Sequence, residues 1–209
     1  GLEGYYWRFA GDGWSIAAIC GLCRDARGSS WAMVTLAAEP GGFARTSVFD
    51  AARADPTTLG VEAGGLRADA HGLDVDLGPD ARLHARFSAP RPWPRRAWGA
   101  LGPAHFVPGL GQYWSPHLLG ASVSGAAVVG SRELPLDGTL AYAEKNWGAA
   151  FARHWWWGQA WLESDSGVAF AGGRLPVGAP TAVVAWSPAG LVRLAPPFAR
   201  TVAGAGAGV

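Results

Sequence analysis

Leu66-Arg67-Ala68-Asp69-Ala70, Leu73-Asp74-Val75-Asp76-Leu77 and Ala81-Arg82-Leu83-His84-Ala85-Arg86-Phe87 are three short runs that decide the fold class. In each, apolar residues alternate strictly with charged ones. That period of two puts Leu66, Ala68, Leu73, Val75, Leu83 and Ala85 on one face, and Arg67, Asp74, His84 and Arg86 on the other. His71-Gly72 and Gly78-Pro79-Asp80 separate the runs and read as turns. The stretch predicts a three-strand antiparallel meander with one wet face. Its charges are a solvated face. Asp74 and Asp76 lack a third carboxylate that would make them a metal pair, and His71 and His84 point outward with the charges.

Outward from the meander the same grammar continues. Towards the N-terminus, strands are expected at Gly1–Phe9, at Trp14–Leu22 as a buried strand, at Trp31–Leu36 with both faces apolar, and at Arg45–Phe49. The turns between them are Gly11–Gly13, Asp25–Ser29 and Pro40–Gly42. Asp50–Thr58 reads as a turn or one short helix. Towards the C-terminus, Pro90–Pro116 holds six prolines and four glycines among Trp93, Trp98, Phe106, Tyr113 and Trp114. It reads as a long irregular connection, a packed cover or a crossing between two sheets. Gly120–Val129 is a small-residue strand, Arg132–Gly138 a turn region, and Thr139 opens the next strand. Trp155–Glu163 and Val168–Ala171 pair about a turn at Asp165–Gly167, and Thr181–Trp186 and Leu191–Leu194 form a last hairpin. Ala203–Val209 is a low-complexity tail. The prediction is an all-β antiparallel barrel or two-sheet architecture, one β domain over 1–209 with a sub-boundary within 90–116.

Composition narrows the function classes. The chain has 209 residues, a net charge of +1, 49% apolar residues and 16% charged ones. A near-neutral chain lacks the clustered cations that bind phosphate backbones, so nucleic acid is not an expected partner. Two cysteines, Cys20 and Cys23, cannot make a disulfide framework, and a lone CxxC lacks the two further ligands a zinc site needs. No apolar run is long enough to span a bilayer as a helix. Peripheral contact with a bilayer, a removed leader, and a cytoplasmic or membrane-surface location all stay open. There is no nucleophile elbow, P-loop or dinucleotide fingerprint, and no HxxxH or HxH pair. Cofactor-free, metal-free chemistry is the expectation. Twelve tryptophans give aromatic surface a role.

The chemistry concentrates in Ala141-Tyr142-Ala143-Glu144-Lys145-Asn146-Trp147-Gly148 and, shortly after, His154-Trp155-Trp156-Trp157-Gly158-Gln159. As a strand, the first run places Leu140, Tyr142, Glu144 and Asn146 on one face, and Ala141, Ala143, Lys145 and Trp147 on the other. A carboxyl set among rings is expected to keep its proton, because desolvation disfavours the charged form. Such a group can protonate an alkene, and the faces of Tyr142, Trp147, Trp155, Trp156 and Trp157 can stabilise the resulting cation. The plainer alternative is structural: an ion pair from Glu144 to Arg8, one from Lys145 to another carboxylate, and tryptophans that are simply core.

These residues resemble the tocopherol cyclase family. Tyr142-x-Glu144-Lys145-x-Trp147-Gly148, then Phe151, Trp155-Trp156-Trp157 and Gln159, is similar to that family's Tyr-x-Glu-Lys-x-Trp-Gly run with its following Phe-Pro, tryptophans and Gln. The opening Glu3-Gly4-Tyr5-Tyr6-Trp7-Arg8 resembles its N-terminal Glu-Gly-Trp-Tyr-aromatic-Arg. Ala152 stands where the family has Pro, and Tyr5 where it has Trp. The resemblance implies a lipocalin-like β-barrel related to the carotenoid hydratase type, and closure of a prenylated quinol to a chromanol ring. It implies Glu144, Asn146 and Lys145 as catalytic residues, with Glu144 the proton donor. Tyr6, Arg8, Tyr142, Trp147, Trp155, Trp156, Trp157 and Gln159 would meet a hydrophobic prenyl-quinol substrate. A carrier of isoprenoid or quinone ligands is the non-catalytic alternative.

Overall fold

The computed structural model describes residues 1–55, 57–94, 97–163, 165–174, 178–197 and 199; the tail at 203–209 lies outside the described residues. Among the described residues the regular structure consists of sixteen β-strands and 3-10 turns such as Pro103–Phe106, with no α-helix. The chain divides into two compact units. The first comprises 1–93 and 116–147, the second 94–115 and 148–209.

The first unit is built on one antiparallel sheet. Its early strands are β1 (Leu2–Gly11), β2 (Trp14–Arg24), β3 (Ser30–Glu39) and β4 (Phe43–Phe49), joined as successive hairpins. The meander follows: β5 (Ala52–Ala54), β6 (Val61–Ala63), β7 (Leu66–Ala68), β8 (Gly72–Asp76) and β9 (Ala81–Pro92). Then come β10 (Gln112–Val129), the short β11 (Arg132–Pro135) that pairs with it, and β12 (Leu140–Gly148). The strand order is β4-β3-β2-β1-β12-β10-β9-β8-β7-β6-β5. The far end of that order returns beside β3, so the sheet nearly closes into a barrel. Closure leaves few exposed edges, which is how all-β folds avoid pairing with other chains.

Alternation decides which side is core. Tyr5, Trp7 and Phe9 of β1, Ile16 of β2, Leu36 of β3 and Leu73 of β8 are completely buried in one continuous apolar cluster. Each such side chain contributes about 1.5–3 kcal/mol of burial. Tyr5 and Trp7 stack with their ring centroids 6.1 Å apart. The opposite face of the meander is charged, as its pattern predicts. There Asp74 holds His84 Nδ1 at 2.5 Å and Arg86 at 3.1 Å, all three exposed. At Gly125, φ is +131° and an added Cβ would lie 2.0 Å from the His84 carbonyl oxygen. Only glycine lets β10 approach β9 so closely there.

Four expectations need correction. Asp50–Thr58 contains the strand β5 rather than a helix, because Ala52–Ala54 pairs with Val61–Ala63, itself a strand too short to show a period of two. Pro90–Pro116 is less irregular than its prolines suggest: β9 runs on to Pro92, where an edge-like segment needs no donor, and β10 begins at Gln112. Arg132–Gly138 holds the strand β11. Trp14–Leu22 buries only alternate residues, its other face being small and half-exposed.

The second unit has its own four-stranded antiparallel sheet, ordered β13 (Trp155–Glu163), β14 (Ser166–Gly173), β15 (Thr181–Ser187) and β16 (Gly190–Leu194). Ala169, Ala182, Val184 and Trp186 form its buried face. Trp161 meets Trp186 edge-on at 5.7 Å, and Gly167 leaves the room this needs, since a Cβ there would fall 2.4 Å from the Trp186 ring. The Arg193 guanidinium donates to the Ala97 and Gly99 carbonyls and so ties β16 to the unit's proline-rich segment.

Candidate functional site

β1 and β12 are neighbours in the first unit's sheet, and the period of two sorts their polar residues onto two sides. Tyr5, Trp7 and Phe9 share the core side with Ala141, Ala143 and Lys145. Tyr6 and Arg8 take the other side with Tyr142 and Glu144.

On the core side Lys145 is almost wholly buried. Its Nζ lies 2.5 Å from Glu3 Oε1, donates to the Asp55 carbonyl at 3.2 Å, and sits 4.9 Å from the centre of the Tyr5 ring. The Tyr5 hydroxyl donates to the same Glu3 oxygen at 2.5 Å and to the Asp55 carbonyl at 3.3 Å. A buried ammonium needs this much compensation, because its desolvation outweighs a single contact. Burial and the Glu3 carboxylate together push the Tyr5 phenol far above its ordinary value. Burial also pushes the Cys20 thiol up to about 12. That cysteine is a core residue with no thiolate character.

On the other side Tyr142 and Glu144 are 0% and 3% exposed, and the Tyr142 hydroxyl donates to Glu144 Oε2 at 2.6 Å. Burial, the Glu144 charge and that hydrogen bond hold Tyr142 well above the usual phenol range, so it is the donor of the pair. Tyr6 is also raised, first by burial and then by Glu144, with Arg8 acting in the opposite sense. Tyr6, Arg8, Tyr142 and Glu144 are therefore one electrostatic group. Asn146 lies over Gly4, where a Cβ would come within 2.7 Å of its Oδ1, and that oxygen is buried without a hydrogen bond. Trp147 is half-buried at the end of β12.

The remaining sequence-derived residues lie on β13, in the second unit's sheet. Trp155 is 57% exposed and leans on Phe151 with ring centres 5.5 Å apart. Trp156 takes the opposite face and donates through Nε1 to Thr181 Oγ1 at 3.0 Å. Trp157 and Gln159 are half-buried on the Trp155 face.

Glu3, Tyr5 and Asp55 escaped the sequence reading as a cluster. A signal existed for Glu3. A lysine alternating with Ala141 and Ala143 must face the core and needs a counter-charge, and Glu3 is the acid in phase with Tyr5, Trp7 and Phe9. Asp55 takes part through its backbone carbonyl, which no residue type announces. Among the described residues, no three His, Cys, Asp or Glu side chains stand together as metal ligands. No described helix is long and apolar enough to cross a membrane.

No family profile matches the chain, and no characterised protein matches it in sequence. In fold it is similar to the crystal structure of a Nitrosomonas europaea protein described provisionally as AttH. The TM-score is 0.55 at 14% identity, over 93% of this chain and 68% of that one. At that identity the likeness establishes the fold alone.

Proposed function

We propose that the chain is a tocopherol cyclase-like enzyme that closes a prenylated benzoquinol to a chromanol ring, with Glu144 as proton donor. The observation that carries this reading is the buried Tyr142–Glu144 pair at 2.6 Å, seated in the run that resembles that family. The carboxyl gives its proton to the less substituted carbon of the prenyl double bond. The tertiary cation left behind is taken by the quinol oxygen, forming the new C–O bond, and the proton released from that oxygen returns to the carboxylate. Tyr142 holds Oε2 and so fixes the rotation of the carboxyl. Its raised pKa keeps its own proton in place through the cycle. A general acid of this kind accounts for about 10²–10⁴ in rate.

Lys145 serves differently from the role the resemblance implies. It faces the core, bound to Glu3 and Asp55, and acts by holding β12 in register. A carrier that houses its ligand inside the first barrel is a poorer reading, because Tyr5, Trp7, Phe9 and their neighbours fill that interior.

The test is Glu144→Gln, which keeps shape and burial but cannot donate an acid proton. With a phytyl-type benzoquinol, chromanol formation should fall at least about a hundredfold with the Tm little changed. Full turnover in a folded Glu144→Gln protein would remove Glu144 from the chemistry.

A further inference from the structure

We propose that the open face of the second unit's sheet docks on an anionic lipid surface. The face follows from the register. Val183 lies opposite both Phe170 and Leu194, and Ala185 opposite both Val168 and Val192, so these side chains project together. Trp156 projects to the same side, through its bond to Thr181. On the reverse face Ala169, Val184 and Trp186 are dry, at no more than 2% exposure. The open face remains in contact with water: Val192 is 58% and Leu194 43% exposed, and Leu162 at the β13 bulge is 67% exposed. The register also places one carboxylate on this side, exposed Glu163 opposite Ser166 at the far end of β13.

A sheet in water normally alternates apolar with polar residues. Two apolar faces on one sheet mean that the second one meets something other than water. The imbalance extends to the whole unit. Among the described residues, eight of the ten exposed large hydrophobic residues belong to it, although it is the smaller unit.

Charge selects the occupant. The second unit holds six arginines against two carboxylates, a net of +4, whereas the first holds eleven cations against fourteen carboxylates, a net of −3. Arg174 sits at the edge of the open face, its backbone N–H bonded to the His154 carbonyl at 2.8 Å, and both residues are exposed. In the segment that leads into β13, exposed Phe151 precedes exposed Arg153, while Trp155 projects to the reverse face. Aliphatic side chains that can enter the acyl boundary, aromatic rings at its rim and arginines at headgroup level are the chemistry of peripheral binding to anionic bilayers. Each arginine near such a surface strengthens binding roughly fivefold. A second copy of the chain would bring a second unit of like charge against the first, which disfavours it as the occupant.

The inference is independent of the cyclase reading, because vesicle binding is measured with no quinol present. The probe is co-sedimentation of the whole chain with phosphatidylcholine vesicles, with and without phosphatidylglycerol. Binding to the mixed vesicles should exceed binding to neutral ones at least about tenfold, and should weaken with added salt. Val192→Ser with Leu194→Ser should reduce it by about tenfold or more. Both positions are exposed, so circular dichroism should be unchanged. On the unaltered chain, lipids brominated in the acyl chains should quench tryptophan fluorescence. Equal binding to neutral and anionic vesicles, undiminished binding by the double variant, or no quenching would each overturn the proposal. So would a dimer in sedimentation velocity that the double variant abolishes, since a second copy would then cover the face.

Discussion

The two units handle polarity in opposite ways. The first buries charge in two clusters, Lys145 and Tyr5 held by Glu3 on one side of β12 and Glu144 held by Tyr142 on the other, while its outer meander is a charged, wet face. The second keeps its buried face apolar and presents more apolar surface outside. In the first unit a nearly closed barrel gives each inward group a neighbour on several strands, so a buried ion can be compensated. A four-stranded open sheet offers one covered face and leaves the other to whatever it meets. Chemistry that needs desolvated polar groups belongs to the first arrangement, and adhesion to the second.

The largest expected contrast is in pH. Tyr5, Tyr142 and Cys20 hold their protons more tightly folded than unfolded, so their contribution is full below the unfolded values, near 10 for tyrosine and 9 for cysteine, and is lost as pH rises above them. Between pH 10 and 11 each should remove stability on the order of 1 kcal/mol. His105, in the second unit, is shifted downward by burial, so its contribution is present above about pH 6.5 and is lost as pH falls. Hydrogen exchange should show β1 and β12 opening first in alkali, and the second unit's proline-rich segment first in acid. Simultaneous opening at both extremes would break the contrast.

Next in size is the internal ion pair. Glu3→Leu removes the carboxylate that lies against the buried Lys145 ammonium, and should cost about 3 kcal/mol in urea unfolding. A loss under 1 kcal/mol would mean that Lys145 reaches water or another anion. A smaller effect is expected from Gly167→Ala, whose Cβ meets the Trp186 ring and the Ala160 carbonyl. It should cost about 1–3 kcal/mol and disturb the edge-on Trp161–Trp186 pair in near-UV circular dichroism. Smallest of all is Asp74→Asn. It removes the partner of His84 and Arg86 on the wet face, yet should shift stability by less than about 0.5 kcal/mol, because exposed ion pairs are screened.

Much of this architecture could be read from the chain. Leu66–Phe87 announces its strands because one face is wet and the other dry. Trp155–Glu163 coincides with β13 for the same kind of reason, a run of aromatics bounded by turn residues. Val61–Ala63 and Arg132–Pro135 were not legible, being three- and four-residue strands in which no period can show. In the candidate site, alternation along β12 correctly separated Glu144 from Lys145. It could not show that Lys145 would find Glu3 across β1, or that the Asp55 carbonyl would arrive from a loop some ninety residues away in sequence.

By itself the sequence determined the class of fold, the facing of each residue in the longer strands, and the run where acid and aromatic groups meet, because periodicity and composition are local properties. Tertiary structure alone decided that the Trp155–Trp157 run lies in a different sheet from Glu144, that a lysine is neutralised inside the barrel, and which sheet face is left open. Those outcomes depend on which strands become neighbours and on what the surrounding atoms exclude from water, and neither is encoded at any single position.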